Sequence, residues 1–285
     1  MLTLEAPAKI NWFLLVKGKR PDGYHEIESL LQRLSLHDTL AFEESDSIEV
    51  LTEADIPGEE NLVHRAAVLL RQKAAAGKGA RIVLEKRIPI SAGLAGGSSD
   101  AAAALMGLNE LWGLGLSRGE LSGIAASLGS DVPFFLNGPA ALVQGRGERV
   151  RPMALKRSFA VLLAKPSAGV SAAWAYARAG APGRAGFHPE RFVKALQSGD
   201  MGALAPMARN DLEGPVLREH PEVGRLKAEM ARAGALYTLM SGSGPCVFGV
   251  FDAREAAEGA KEAMGEDCWS AVTETVTHGG PPSGM

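Results

Sequence analysis

One stretch constrains this chain more than any other. Pro89 to Ala102 reads PISAGLAGGSSDAA, set between a strand-like run, Arg81 to Lys86, and a segment in which Ala101, Leu105, Leu108 and Trp112 recur at helical spacing. Glycines leave room for an anion to approach the backbone, and a helix that follows adds unsatisfied N–H donors and about half a positive charge. A strand, a glycine loop and an amphipathic helix starting at the serines are the order that a phosphate site needs. An isolated Gly/Ser loop is as often a flexible turn over a helix; the strand before it favours the site. The loop offers Pro89, Ile90, Ser91, Ala92, Gly93, Leu94, Ala95, Gly96, Gly97, Ser98 and Ser99, with the two serines able to give hydroxyls to phosphate or Mg2+. It is not a Walker loop, since no Lys-Ser/Thr follows the glycines, and it lacks the G-x-G-x-x-G order of the dinucleotide fold.

The rest of the composition narrows the surroundings of that site. With 285 residues, 46% of them hydrophobic, the chain can form two packed lobes. A formal net charge of -3 creates no field that would gather nucleic acid or an anionic membrane, so any phosphate must be bound locally. Cys246 and Cys268 are too few for a disulfide framework and lack zinc-site spacing, which fits a reduced, cytoplasmic protein. No run approaches the ~18 apolar residues of a membrane span. The six histidines show no ligand pairing, so no metal cage built by the protein is expected.

Along the chain, Leu2 to Val16 reads as strand broken at Pro7, and Asp38 to Leu51 as short alternating runs. A helix begins near Asn61 and stops at Gly77; Ser117 with Glu120 forms a capping box for a helix ending at Gly129. That places Ser130 and Asp131 just past a helix end. Further strands are expected at Phe159 to Ala164, Leu236 to Met240, Cys246 to Phe251 and Trp269 to Val276. Helices are expected at Pro189 to Gln197 and Pro221 to Ala233, with a last one opened by Asp252 and Glu255.

The loop pattern PxxxGLxGGSSxAA resembles the nucleotide loop of the GHMP kinases, the superfamily of galactokinase, homoserine kinase and mevalonate kinase. APAKIN (Ala6 to Asn11), RPDGYHEIES (Arg20 to Ser29), LGSDVPFFL (Leu128 to Leu136), NDLE (Asn210 to Glu213) and SGSGPCVFGVF (Ser241 to Phe251) are similar to one branch of it. That branch is the 4-diphosphocytidyl-2-C-methyl-D-erythritol kinase family, and the resemblance spans nearly the whole chain. It implies an α+β, two-domain fold. Residues 1–153 would form an ATP-binding domain with a mixed sheet, residues 154–277 a ferredoxin-like α/β-sandwich substrate domain, and residues 278–285 a flexible tail. It implies ATP and Mg2+ as cofactors and transfer of the γ-phosphoryl of ATP to the 2-hydroxyl of a CDP-linked methylerythritol, by a monomer or weak homodimer.

The resemblance also distributes roles. Asp131 becomes the general base and Lys9 the cation beside it; taken alone, each is more often a solvated turn residue or a snorkelling lysine. Tyr24 and His25 become the cytosine site, Tyr176 its second aromatic wall with Trp174 as rival, and Asn11 a partner of substrate hydroxyls or of the lysine. Asn61 and Lys86 fall on the adenine side, although Asn61 reads equally well as a helix N-cap. The Ser241 to Gly244 turn is expected to be mainly architectural. Two departures stand out: Ala95 where relatives commonly have Gly, tolerable if its φ is negative, and Ala172 with Ala173 where many relatives carry a hydroxyl. Competing readings are a mevalonate- or homoserine-type kinase, against which DGYHEIES argues, and a nucleotide-binding relative without activity, against which Lys9 with Asp131 argues.

Overall fold

The fold is drawn from a computed structural model that describes residues 1–74, 77–179, 186–265 and 267–278. The expected flexible tail lies, His278 apart, outside the described residues.

The opening strands are longer than their pattern implies. β1 (Leu2–Lys19) and β2 (His25–Ser45) pair antiparallel along nearly their whole length. Pro7 does not break β1; the register slips between Pro7 and Lys9, and this irregularity accommodates the residue that has no N–H to give. It also turns the Lys9 N–H out of the ladder and onto the Leu94 carbonyl of the glycine loop, 3.1 Å away. β2 outruns its expected length because Ser29 to Leu34 are buried on both faces, which removes the alternation that marks a half-exposed strand.

β1 lines one edge of β2, and the other edge is shared. β3 (Ile48–Leu51) pairs with β4 (Gly79–Glu85), β4 with Thr39 to Ser45 of β2, β5 (Ala140–Gly145) with Ile27 to Gln32, and β6 (Arg149–Pro152) with β5. Among the described residues a second sheet has the order β10-β7-β9-β8, from β7 (Ala160–Pro166), β8 (Tyr237–Met240), β9 (Val247–Phe251) and β10 (Cys268–Glu274). The chain after β10 docks into the gap left on β2, where the Val276 N–H donates to the Arg33 carbonyl at 2.9 Å.

Helices α1 (Leu62–Lys73), α2 (Gly96–Leu111) and α3 (Arg118–Leu128) pack on the first sheet, with Val63, Ala67, Leu105 and Leu108 against Leu40, Phe42 and Ile82. The second sheet carries α4 (Ala172–Ala177), α5 (Pro189–Ser198), α6 (Met201–Leu204), α7 (Glu213–Glu219), α8 (Pro221–Arg232) and α9 (Arg254–Glu262). A further core straddles the two sheets: Trp12, Phe13 and Leu15 of β1 pack with Leu163, Phe192, Tyr237 and Phe248. Each such side chain contributes about 1.5–3 kcal/mol on burial, so β1 belongs energetically to both halves.

α2 starts at Gly96, two residues ahead of the serines, and is buried nearly all round rather than along one stripe. Small residues make this possible: Ala101 to Ala104 are buried, and a Cβ on Gly107 would stand 2.6 Å from the Phe42 ring. The Ser117–Glu120 capping box forms as expected and α3 ends at Gly129. Two expected signals fail. α1 ends at Lys73, short of Gly77, and α9 is capped by Ala253 without a side-chain bond, because Asp252 lies one residue too early, in the bend after β9. No helix among the described residues is long and apolar enough to cross a membrane.

Candidate active site

The glycine loop, the bulged part of β1 and the segment after α3 meet at a cleft of about 870 Å³. The loop is held from behind by its carbonyls. The Ala92 carbonyl accepts from the Cys246 N–H at 3.2 Å, that of Leu94 from the Lys9 N–H, and that of Gly93 from the Ser241 hydroxyl at 3.0 Å and the Lys9 ammonium at 2.7 Å. With those oxygens tied back, the first-turn N–H groups of α2, at Gly96, Gly97 and Ser98, have no intrahelical partner and open at the cleft wall. Gly93 is obligatory: its φ is +77° and a Cβ there would lie 2.2 Å from the Ser241 carbonyl oxygen. Ala95 has φ +56°, so the strained alternative holds and a left-handed alanine is carried at a cost of about 1–2 kcal/mol. Ser91 shares that geometry at +53°.

Lys9 occupies the middle of the cleft. It is 2% exposed, its ammonium donates to Asn11 Oδ1 at 2.7 Å, and it stands 3.9 Å from Asp131 Oδ2. Burial lowers the Lys9 pKa, and the Asp131 charge works against that fall. Asn11 is oriented in turn, since its amide donates to Ser29 Oγ at 2.8 Å. Asp131 heads a short 3-10 turn, Val132–Leu136, spends no hydrogen bond on capping it, and leaves its side chain 35% exposed. A half-exposed carboxylate beside a dry ammonium can accept a proton from an alcohol and offset negative charge next to it.

At one end of the cleft lie Tyr24, His25 and Tyr176. The His25 and Tyr176 rings stack with centroids 5.5 Å apart and 23° between planes, while Tyr24 is half exposed under the Arg146 guanidinium, 4.9 Å from its ring centroid. Burial, then the Asp131 charge, raises the Tyr176 pKa. Trp174 points elsewhere, packing against His220 and Arg178 outside the cleft lining. Ala172 and Ala173 line the wall with methyl groups only.

At the other end, Asn61 lines the wall and also caps α1, accepting from the Val63 N–H at 2.9 Å, so the N-cap reading of it holds. Lys86 is clamped between Asp38 and Asp100, the latter at 2.7 Å. Burial lowers its pKa, but Asp100 and Asp38 outweigh that and the net shift is upward. Asp100 is pushed up to about 7, chiefly by burial, with Lys86 opposing; its Oδ1 has no partner among the described residues. Leu94 and Ser99 do not face the cleft: Leu94 is wholly buried in the straddling core, and Ser99 is 1% exposed. Pro89, Ile90, Ser91, Ala92, Gly93, Ala95, Gly96, Gly97 and Ser98 all reach the wall.

Asp100 and Arg146 line the cleft, with Asp38 buried behind Lys86, and none of the three was among the candidates. Asp100 leaves a sequence signal, a charge set directly before an alanine run, and so does Arg146, a cation between glycines in QGRGE. NDLE proves to be a brace. The Asn210 amide donates to the Met240 and Gly242 carbonyls at 2.9 and 2.7 Å, shaping the Ser241 to Gly244 turn that holds Gly93.

Comparison with known proteins matches two family models, GHMP kinases N terminal domain over residues 61–139 and GHMP kinases C terminal over residues 192–269. The chain is a member of the GHMP kinases. Its relatives include the 4-diphosphocytidyl-2-C-methyl-D-erythritol kinase of Synechococcus sp. (strain JA-3-3Ab), 46% identical over 92% of this chain and 89% of that one. The enzyme of that name from Thermodesulfovibrio yellowstonii is 42% identical over 97% and 98%. Within the GHMP kinases the chain therefore belongs to the 4-diphosphocytidyl-2-C-methyl-D-erythritol kinase family. A crystal structure of 4-(cytidine 5'-diphospho)-2C-methyl-D-erythritol kinase superposes with a TM-score of 0.85 at 36% identity, covering 96% of this chain and 99% of that one. Homoserine kinase from Cytophaga hutchinsonii, at 0.74 and 18% identity, shares the GHMP kinase fold.

Proposed function

We propose that this GHMP kinase transfers the γ-phosphoryl group of ATP to the 2-hydroxyl of 4-diphosphocytidyl-2-C-methyl-D-erythritol, releasing ADP. The observation that carries the reading is the Lys9–Asp131 approach at 3.9 Å, set between a phosphate loop on one side and Tyr24, His25 and Tyr176 on the other. The loop and the α2 N-terminus hold the donor phosphates, with Asn61 and Lys86 toward the adenine. The acceptor lays its cytosine among the aromatic rings, which sets its 2-hydroxyl against Asp131. The oxygen bonds to the γ-phosphorus as the bond to the β-phosphate oxygen breaks, and the hydroxyl proton passes to Asp131. Lys9, fixed by Asn11 and the Gly93 carbonyl, offsets the charge on the transferring group.

Among the described residues no group of three or more His, Cys, Asp or Glu side chains forms a metal cage. Mg2+ would be held here by the Ser98 hydroxyl beside the donor phosphates. It would neutralise phosphate charge. We assign residues 1–153 to the donor half and 154–277 to the half that completes the acceptor site, acting as a monomer or weak homodimer.

ADP release with a panel of alcohols tests the assignment. The CDP-alcohol should be turned over, while mevalonate and homoserine should not; the reverse pattern sinks it. Asp131→Asn should retain ATP-analogue binding and lose at least about 100-fold in kcat.

A further inference from the structure

The segment that carries Tyr24 has little packing of its own. Pro21, Asp22, Gly23 and Tyr24 are all exposed, so the shape of this turn must come from polar contacts. Within the turn, the Arg20 N–H donates to the Tyr24 carbonyl at 2.8 Å, the Tyr24 N–H to Asp22 Oδ1 at 3.2 Å, and the Arg20 guanidinium holds Asp22. These contacts close the turn on itself and do not say where it sits.

Glu26 supplies that link. Its Oε2 accepts from Arg20 Nη1 at 2.8 Å, and its Oε1 accepts from the Gly145 N–H at 3.2 Å and from the Arg149 guanidinium. Gly145 and Arg149 bracket the β5–β6 hairpin, whose tip carries Arg146 over the Tyr24 ring. The Arg146 guanidinium donates onward to the Ala126 carbonyl of α3 at 2.7 Å. The same hairpin abuts the reacting end of the site: a Cβ on Gly147 would lie 3.2 Å from Ser130 Cβ and 3.5 Å from Asp131 Oδ1. One carboxylate thus joins the Tyr24 turn to the hairpin that touches Asp131.

We propose that Glu26 is a positioning residue for the acceptor. It holds the Tyr24 platform at a set distance from Asp131, so that a nucleoside diphosphate ester gripped by its base presents its hydroxyl in register. This rests on the reading that the base binds among Tyr24, His25 and Tyr176. The ion pairs are partly exposed, with Glu26 33%, Arg20 30% and Arg149 59% accessible, and pairs of that kind add little to global stability. Their effect is to order the turn before the ligand arrives, which appears in affinity for the acceptor rather than in stability.

Glu26→Gln keeps the shape and removes the charge from both arginine pairs; Arg149→Gln removes one pair at an exposed position. With CDP as probe, calorimetry should show affinity falling roughly 10-fold in Glu26→Gln and by a smaller factor in Arg149→Gln. A non-hydrolysable ATP analogue should bind within about twofold of wild type, and Tm should move little. In turnover, acceptor KM should rise far more than kcat falls, and the Gly23 and Tyr24 amides should exchange faster with solvent. Equal losses of CDP and ATP-analogue affinity, or unaltered exchange in the turn, overturn the proposal. Loss of CDP binding in Tyr24→Ala but not in Glu26→Gln overturns the role of Glu26 alone. Unchanged CDP binding in both overturns the base site on which it rests.

Discussion

Asp100→Asn should make this kinase more stable at alkaline pH, although it deletes a partner of a buried lysine. In the native chain two carboxylates, Asp38 and Asp100, share the one ammonium of Lys86, and Asp100 Oδ1 is buried without a partner. Burial, resisted by Lys86, lifts the Asp100 pKa from 3.8 to about 7. Between those values the native state keeps a proton that the unfolded chain has released, so stability falls as pH rises from about 4 to about 7 and then levels off. A separation of about 3 pH units corresponds to about 4 kcal/mol. The Lys86 attraction is already contained in that shift, so at pH 8 the neutral variant should gain on the order of 4 kcal/mol. For a chain of this length the gain is worth about 7 °C in Tm. Asp38, from β2, and Lys86, just past β4, are the charged groups that shift Asp100, while α1 and β1 turn apolar residues such as Val63, Ala66 and Ala6 toward that core. Thermal scans of both proteins from pH 5 to pH 9 should show a Tm gap that opens up to pH 7 and holds above it. A gap independent of pH would refute the reasoning, because Asp100 would then be ionised throughout.

Lys9→Met should cut kcat by at least about 100-fold while an ATP analogue still binds, as loss of a charge stabiliser does; unchanged turnover removes Lys9 from the chemistry. Ala95→Gly relieves the left-handed backbone at φ +56° and should raise stability by about 0.5–1 kcal/mol in urea titrations, whereas a lower midpoint would show that the Ala95 methyl matters more than the strain. Tyr176→Ala should raise acceptor KM by about 10-fold or more through lost stacking, while Trp174→Ala, outside the cleft, should stay within twofold. The opposite order would reinstate Trp174 as the wall.

Local signals were legible and non-local ones were not. The loop, the α3 capping box and the strands at Ala160–Pro166 and Val247–Phe251 follow from propensity and period, which a short window contains. The first half of β2 did not show itself because a stretch covered on both faces, Ser29 to Leu34, in a strand rich in Leu and Glu has no alternation to read. In the cleft, the family motifs pointed to Lys9, Asn11, Asp131 and the aromatic residues, and the chain brings them together. What surrounds them depends on distant partners. Asp38 reaches Lys86 across 48 positions, and Gly93 meets Ser241 across 148. The sign of the Ala95 φ was left open by the sequence because it is set by how the loop is tied at both ends, not by the residue alone.

That last tie has a consequence for how the enzyme is made. The glycine loop leaves the ribosome well ahead of the residues that tie it, since its Gly93 carbonyl is anchored by Ser241 and its Ala92 carbonyl by Cys246. At roughly 5–20 residues per second, a nascent chain carries the loop unanchored for about 7–30 s. Trp12 and Phe13 wait longer still for Tyr237 and Phe248 to cover them. A chain released before the Ser241 turn therefore has the sequence of a nucleotide loop without its shape, and a truncated product of synthesis should not compete with the finished enzyme for ATP.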